Sequence, residues 1–154
     1  MIEFGRFARA NWEQRGAGKP ETFTFLGFTH YCGRSPKGHF FVGRRTAAKR
    51  MRAKLQSIKQ ELRLKMHESV SVVGEWLKRV VEGYYRYQAV PGNIVVLGRF
   101  RDRLCMLWRH VLRRRSQRRR PGWDRLRLTF ERWIPRPHVL HPYPDVRFDV
   151  THPR

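Results

Sequence analysis

Arginine is the residue type that gives this sequence its chemical character. Residues 110–121, HVLRRRSQRRRP, hold six arginines, and residues 49–54, KRMRAK, form a second basic group. A guanidinium forms paired hydrogen bonds with a phosphate and stacks on aromatic bases. The 154 residues include 34 Lys and Arg against 12 Asp and Glu, a formal net charge of +22. This balance indicates a polyanionic partner, and it favours nucleic acid over a membrane surface.

The two basic groups and one further arginine define the predicted nucleic-acid contacts. The predicted RNA-binding residues are Lys49, Arg50, Arg52, Lys54, Arg86, Arg113, Arg114, Arg115, Arg118, Arg119 and Arg120. Arg86 is included because tyrosines 84, 85 and 87 lie beside it, and aromatic rings next to arginine can stack on unpaired bases. Some of these rings must face a core instead, so stacking and core packing both remain open for each ring.

Catalysis and metal binding have little support in the sequence. The chain has four aspartates, no two of them adjacent: Asp102, Asp124, Asp145 and Asp149. The last two lie in a Pro-rich segment without a second acidic cluster nearby, so we interpret them as surface carboxylates and predict no catalytic residues. Two short spacings are candidates for zinc, His30-x-Cys32 and His138-x-x-His141. Structural zinc sites usually pair ligands at both ends of a loop, so we predict no metal ligand and no cofactor.

Compartment is predicted from hydropathy and cysteine content. The sequence has no run of about 18 apolar residues, the length a membrane-spanning helix needs. Its first residues do not have the pattern of a signal peptide. Cys32 and Cys105 are its two cysteines, and without a secretion signal they indicate free thiols in a reducing compartment. We therefore predict a cytoplasmic protein without a membrane partner.

The apolar pattern predicts the elements that must position the basic residues. It indicates a short amphipathic helix from residue 2, then a β-hairpin over residues 22–43 in which TFTFLGFTHYCG is one strand and RSPKG the turn. Three longer helices follow: one from Thr46 to about residue 66, one from Ser69 or Ser71 to about residue 89, and one after Asn93 that ends in the arginines. A fourth helix is predicted over 123–133, and five prolines make the last 20 residues extended.

These elements predict an α+β, mostly α fold. An N-terminal helix and a small β-hairpin precede a three-helix bundle and a Pro-rich C-terminal extension. The helical spacing also predicts which side chains form the core of the bundle. They are Met51, Leu55, Ile58, Leu62, Val73, Trp76, Leu77, Val80, Val81, Tyr84, Leu97, Phe100, Leu104, Leu107, Trp108 and Val111.

Four phrases together carry a resemblance to a known family. FTFLGFTHYCG, GYYRYQAVPGN, RRRSQ followed by a Trp-led helix, and WIPRPHVLHPYPDVRF resemble, in order and spacing, the C-terminal half of bacterial group II intron reverse transcriptase/maturases. The resemblance covers nearly the whole chain. It implies that residues 1–45 are a remnant of the reverse transcriptase palm and residues 46–134 the maturase or thumb region (domain X). Residues 135–154 would then be an extended tail docked on that domain.

The same resemblance implies a function and an absence. In this family the thumb binds intron RNA during splicing and holds the template–primer during copying. The family's Tyr-x-Asp-Asp turn, which belongs to its Mg-dependent polymerase site, does not occur in this sequence. The expectation is therefore an RNA-binding, maturase-type module that assists splicing and is not an enzyme by itself. Two alternatives stay open: the C-terminal piece of a split or truncated RNA-directed DNA polymerase that needs a separate palm/fingers fragment, and a remnant without a retained role.

Overall fold

A computed structural model describes residues 4–5, 7–16, 21–115 and 122–143. The fold is α+β and mostly helical, as predicted. The described elements are α1 (Ala8–Gln14), β1 (Phe23–Phe25), β2 (Phe28–Arg34), β3 (Phe40–Thr46), α2 (Ala48–Leu64), a 3-10 turn (Lys65–His67), α3 (Val70–Gln88), α4 (Ile94–Arg115) and α5 (Trp123–Trp133). The chain forms two compact units, residues 1–50 and 51–154, and the division falls within α2.

The N-terminal unit contains a three-stranded antiparallel sheet rather than the predicted two-stranded hairpin. The segment predicted as one strand is itself a hairpin, because the chain reverses at Leu26 and Gly27 and pairs Phe25 with Phe28. Both turn residues have positive φ, 48° and 82°, as a two-residue type I′ turn requires. Leucine is unusual at positive φ, so the sequence conceals this turn. The RSPKG turn joins β2 to β3 where it was predicted.

The predicted start of the first helix at residue 2 is wrong, since α1 begins at Ala8. Gly5 has a φ of 142°, a backbone conformation incompatible with a helix. Phe4 and Gly5 lie against the sheet instead. The ring of Phe4 packs edge-on against that of Phe23, with centroids 4.8 Å apart, and the Cys32 thiol donates to the Gly5 carbonyl over 3.6 Å.

The C-terminal unit is built around one apolar cluster shared by four helices. The predicted core positions of α2 are confirmed without exception, because all four are buried. On α3 the buried tyrosine is Tyr85, whereas the predicted Tyr84 is partly buried. Trp76, also predicted to be in the core, is partly buried, and the ammonium of Lys65 lies over its ring. The deepest part of the cluster lies along α4: Leu97, Phe100, Leu104 and Trp108 are all fully buried.

Helices α2 and α4 lie side by side and run in the same direction. Arg52 and Arg103 line one depression between them, and Arg63 and Arg114 line the next. Residue numbers therefore rise together along both helices. The short connections around α3 explain this direction, because each reverses the chain and two reversals restore it.

The segment after α5 has no regular secondary structure over residues 134–143 and lies along the end of α3. The Tyr85 hydroxyl donates to the Pro135 carbonyl at 3.4 Å, and the amide of Leu140 donates to the Ala89 carbonyl at 3.0 Å. The His141 ring donates from Nε2 to the Arg86 carbonyl at 2.7 Å. We call residues 134–143 the strap.

Replacement of the fully buried indole tests the core. We expect Trp108→Ala to lower the free energy of unfolding by about 3–5 kcal/mol, because it removes a large core aromatic and leaves a cavity. Urea denaturation followed by circular dichroism measures this loss. Trp123→Ala is the matched control, since that indole is 53% exposed and has the Arg109 guanidinium over its ring. Equal stability losses for the two variants would contradict the described packing of α4.

The thiol of Cys105 provides a pH test of the same core. Burial raises the pKa of Cys105 from 9.0 to about 11, although the nearby Arg101 opposes the shift. Between pH 9 and about 11 the thiol is therefore protonated in the folded chain and ionised in the unfolded chain. Its contribution to stability is complete below pH 9 and is lost as the pH rises towards 11. We expect the free energy of unfolding to fall over that interval, and Cys105→Ala to reduce the slope. Identical slopes would show that the thiol is not buried.

Candidate nucleic-acid interface

An open groove lies between α2 and α4 in the C-terminal unit. The larger of its two depressions, which we call the first half of the groove, has a volume of about 720 Å³. Its floor is mostly apolar and is formed by Ala53, Leu55, Met106 and Leu107. A smaller depression of about 30 Å³ continues it towards the C-terminal ends of the helices and shares Lys59 and Leu107 with it. We call the two depressions together the α2–α4 groove.

The groove is strongly cationic. Its lining includes Arg52, Lys59, Arg63, Arg103 and Arg114. His110 lines the smaller depression, and Asp102 is the one acid among the described residues that line either half. These positive charges lie on two adjacent helices that line the same groove.

The groove cations lack acidic partners within the described part of the chain. The ion pairs there join Lys65 to Glu68, Lys78 to Glu82, and Glu131 to both Arg101 and Arg136. None of these pairs uses a cation that lines the groove. Within the described residues, the cations of the groove are therefore free of ion pairs, which favours attraction of a polyanion.

The helical period places these cations at the edge of the core. On α2 the buried positions are 51, 55, 58 and 62. Four of the groove-lining positions, 52, 56, 59 and 63, each follow one residue later. One residue turns a helix by about 100°, so this row lies on the flank of the apolar stripe. Packing of the stripe against the core thus brings the basic row of α2 next to α4.

The predicted contact residues separate into several groups in the structure. Arg52 and Arg114 line the groove, while Lys54 on α2, Arg86 on α3, and Arg113 and Arg115 on α4 line neither depression. Residues 49 and 50 are exposed on the first turn of α2 and belong to the N-terminal unit. Residues 118–120 lie outside the described residues.

Four basic groove residues were not among the predicted contacts: Lys59, Arg63, Arg103 and His110. Apart from Arg86, the prediction selected lysines and arginines in dense basic runs. Lys59, Arg63 and Arg103 stand apart from those runs, and His110 begins one but is a histidine. Their helical spacing was the available signal. Positions 52, 59 and 63 and positions 103, 110 and 114 have the same separations, seven and then four residues, which align side chains on one helix face.

The tyrosines beside Arg86 contribute mainly to the core. Tyr85 is buried, and the ring of Tyr84 stacks on that of Phe100 with centroids 4.3 Å apart. Tyr87 is 54% exposed. Core packing is therefore the role of two of the three rings for which stacking on a base was considered.

The candidate zinc ligands have other contacts. His30 stacks flat on the ring of Phe23 at 4.8 Å, and the rings of His138 and His141 lie against backbone carbonyls. Within the described ranges, the structure has no group of three or more His, Cys, Asp or Glu side chains that could hold a metal ion. Asp145 and Asp149 lie outside those ranges. No described helix combines the length and the apolar character that crossing a membrane requires.

Comparison of the chain with protein-family models, with curated proteins and with solved structures gave no match. Function therefore has to be inferred from the geometry and charge of the α2–α4 groove.

The arginine run at the end of α4 tests whether geometry or charge alone governs binding. Successive helical residues point about 100° apart, and of Arg113, Arg114 and Arg115 only the middle residue lines the groove. We expect Arg114→Gln to lower the slope of log affinity against log salt by about 0.7–0.9, the contribution of one phosphate contact. Arg113→Gln and Arg115→Gln should leave the slope unchanged. Fluorescence anisotropy with a structured RNA measures these slopes, and equal effects of all three changes would show binding by undirected charge.

Proposed function

We propose that this chain is an RNA-binding module that holds structured RNA along the α2–α4 groove. The supporting observation is the set of five groove cations on two adjacent helices, none of them in an ion pair with a described acid. Phosphate contacts supply much of the affinity of proteins for nucleic acid. An unneutralised basic groove is therefore well suited to an RNA backbone.

The spacing of the cations supports a contact with successive phosphates. Arg52, Lys59 and Arg63 occupy three successive levels on α2, separated by roughly 6–11 Å along the helix axis at 1.5 Å per residue. Arg103 and Arg114 face them from α4. A nucleic-acid strand in the groove would thus have cations on both sides along its length. Arginine forms four of the five cations, which favours paired hydrogen bonds to phosphate oxygens.

The resemblance of the sequence extends this proposal to a specific RNA. We propose that the partner is a group II intron and that binding assists its splicing, as expected of a maturase-type module. No catalytic step and no cofactor is assigned to this chain. Since bacterial introns are transcribed in the cytoplasm, we propose that location for the protein.

A titration with matched charge variants tests the role of the groove. The groove variant carries Arg52→Gln, Arg63→Gln and Arg114→Gln; the control variant carries Arg79→Gln, Arg125→Gln and Arg127→Gln, exposed positions that do not line the groove. Both lose three charges. We expect the groove variant to lower the salt slope by about 2–3, and the control variant to retain the wild-type slope. Equal losses would contradict a role for the groove.

The choice of RNA separates the two parts of the proposal. The wild-type chain is titrated at 50 and 150 mM KCl with a folded group II intron transcript and with a structured RNA of equal length. A tenfold or larger preference for the intron at 150 mM supports the maturase-type role. Equal affinity would support RNA binding and reject intron recognition. Absence of binding to either RNA at 150 mM would reject the proposed function altogether.

A further inference from the structure

Asp102 is a carboxylate in a groove otherwise lined by cations. It is exposed in the first half of the α2–α4 groove, where Arg52 and Arg103 also contribute to the lining. Asp102 takes part in none of the ion pairs found among the described residues. A carboxylate repels phosphate and weakens backbone binding, so charge attraction alone does not account for its position. It can accept hydrogen bonds but, when ionised, cannot donate them.

The floor beside Asp102 is suited to a base rather than to a phosphate. Met106 is 54% exposed and lies next to Ala53, Leu55 and Leu107 in the same half of the groove. Thioethers make favourable contacts with aromatic rings, whereas a phosphate gains nothing from an apolar surface. The volume of about 720 Å³ falls within the roughly 300–1,000 Å³ typical of small-molecule sites. An apolar floor, an acceptor and flanking cations together match one unpaired nucleotide of an RNA strand.

The chemistry of the acceptor selects among the four bases. Guanine presents two adjacent donors on its pairing edge, N1–H and the N2 amino group, which match the two oxygens of a carboxylate. Adenine and cytosine present one amino group next to a ring nitrogen that accepts, and uracil presents one N–H between two carbonyls. These acceptors face a carboxylate unfavourably. RNA-binding proteins commonly read unpaired bases on this edge.

We infer that the first half of the α2–α4 groove holds an unpaired guanine of a structured RNA. Asp102 accepts from N1–H and the N2 amino group, the Met106 side chain packs on the ring, and Arg52 and Arg103 bind the flanking phosphates. This inference rests on the proposed function and deepens it. In this arrangement the carboxylate recognises the base, and the cations supply most of the affinity.

Hairpin RNAs with a single bulged nucleotide test this assignment. The probes differ only in the bulge, which is G, A, C or U, and a fully paired hairpin completes the set. At 150 mM KCl we expect the wild-type chain to bind the G bulge about tenfold more tightly than the U bulge, in line with the discrimination of a paired hydrogen-bond contact. Fluorescence anisotropy gives the five dissociation constants.

Two variants with the same charge change locate the effect. Asp102→Asn places an amide donor against the donors of guanine, so we expect the preference for the G bulge to disappear. Asp124→Asn, in the first turn of α5 and outside the groove lining, should retain it. Both variants remove one negative charge, but only Asp102 lies in the groove, so Asp102→Asn should bind all five probes more tightly. The ratio of the dissociation constants for the G and U bulges separates base recognition from that general gain. Thermal unfolding by circular dichroism confirms that each variant is folded.

Each outcome decides between the proposals. Loss of the preference in Asp102→Asn alone supports the inference. A preference that survives Asp102→Asn overturns the assignment of this residue. Equal binding of all five probes by the wild-type chain overturns guanine recognition but leaves the proposed RNA binding intact. If the wild-type chain binds none of the probes, the inference fails, and the titration with the intron transcript decides whether the proposed RNA binding fails as well.

Discussion

The contribution of α2 and α4 to one buried apolar cluster is the interaction on which the rest of the C-terminal unit depends. It holds two rows of positive charge next to each other. Burial of one Leu or Ile side chain contributes about 1.5–3 kcal/mol, whereas repulsion between two exposed cations costs about 1 kcal/mol or less in water. Core residues such as Ile58, Leu62 and Trp108 therefore outweigh the repulsion. Packing of the core thus holds the cations of α2 and α4 together in one groove despite their mutual repulsion.

The bundle was predictable because its information is periodic, whereas the irregular parts depend on single backbone angles. Four helices of the C-terminal unit follow apolar spacing that is visible in the sequence, and their bounds lie close to those predicted. The turn at Leu26 and the late start of α1 were missed, since each depends on one residue with an uncommon φ. The choice of Tyr85 over Tyr84 for the core was equally hidden, because adjacent helical residues differ by only about 100° in direction.

The candidate site was predictable only in part, because it is formed between helices. Arg52 and Arg114 were identified from dense basic runs, but density does not show which members of a run share a face. Helical spacing places Lys59 and Arg63 on the same face as Arg52, but only the packing of α4 beside α2 makes that face one wall of a groove. Asp102 was interpreted only as evidence against a catalytic centre. Its position among cations gives it significance, and that position depends on tertiary structure.

The strap has a consequence for the order in which the chain is made. The last carbonyls of a helix have no partners within the helix, and at the end of α3 two of them, on Arg86 and Ala89, bind the strap about 50 residues later. Chains emerge from the ribosome N-terminus first, at about 5–20 residues per second. For several seconds after α3 has been synthesised, the strap residues that bind these carbonyls do not yet exist. Completion of this helix is a late event of synthesis, although its sequence is in the middle of the chain.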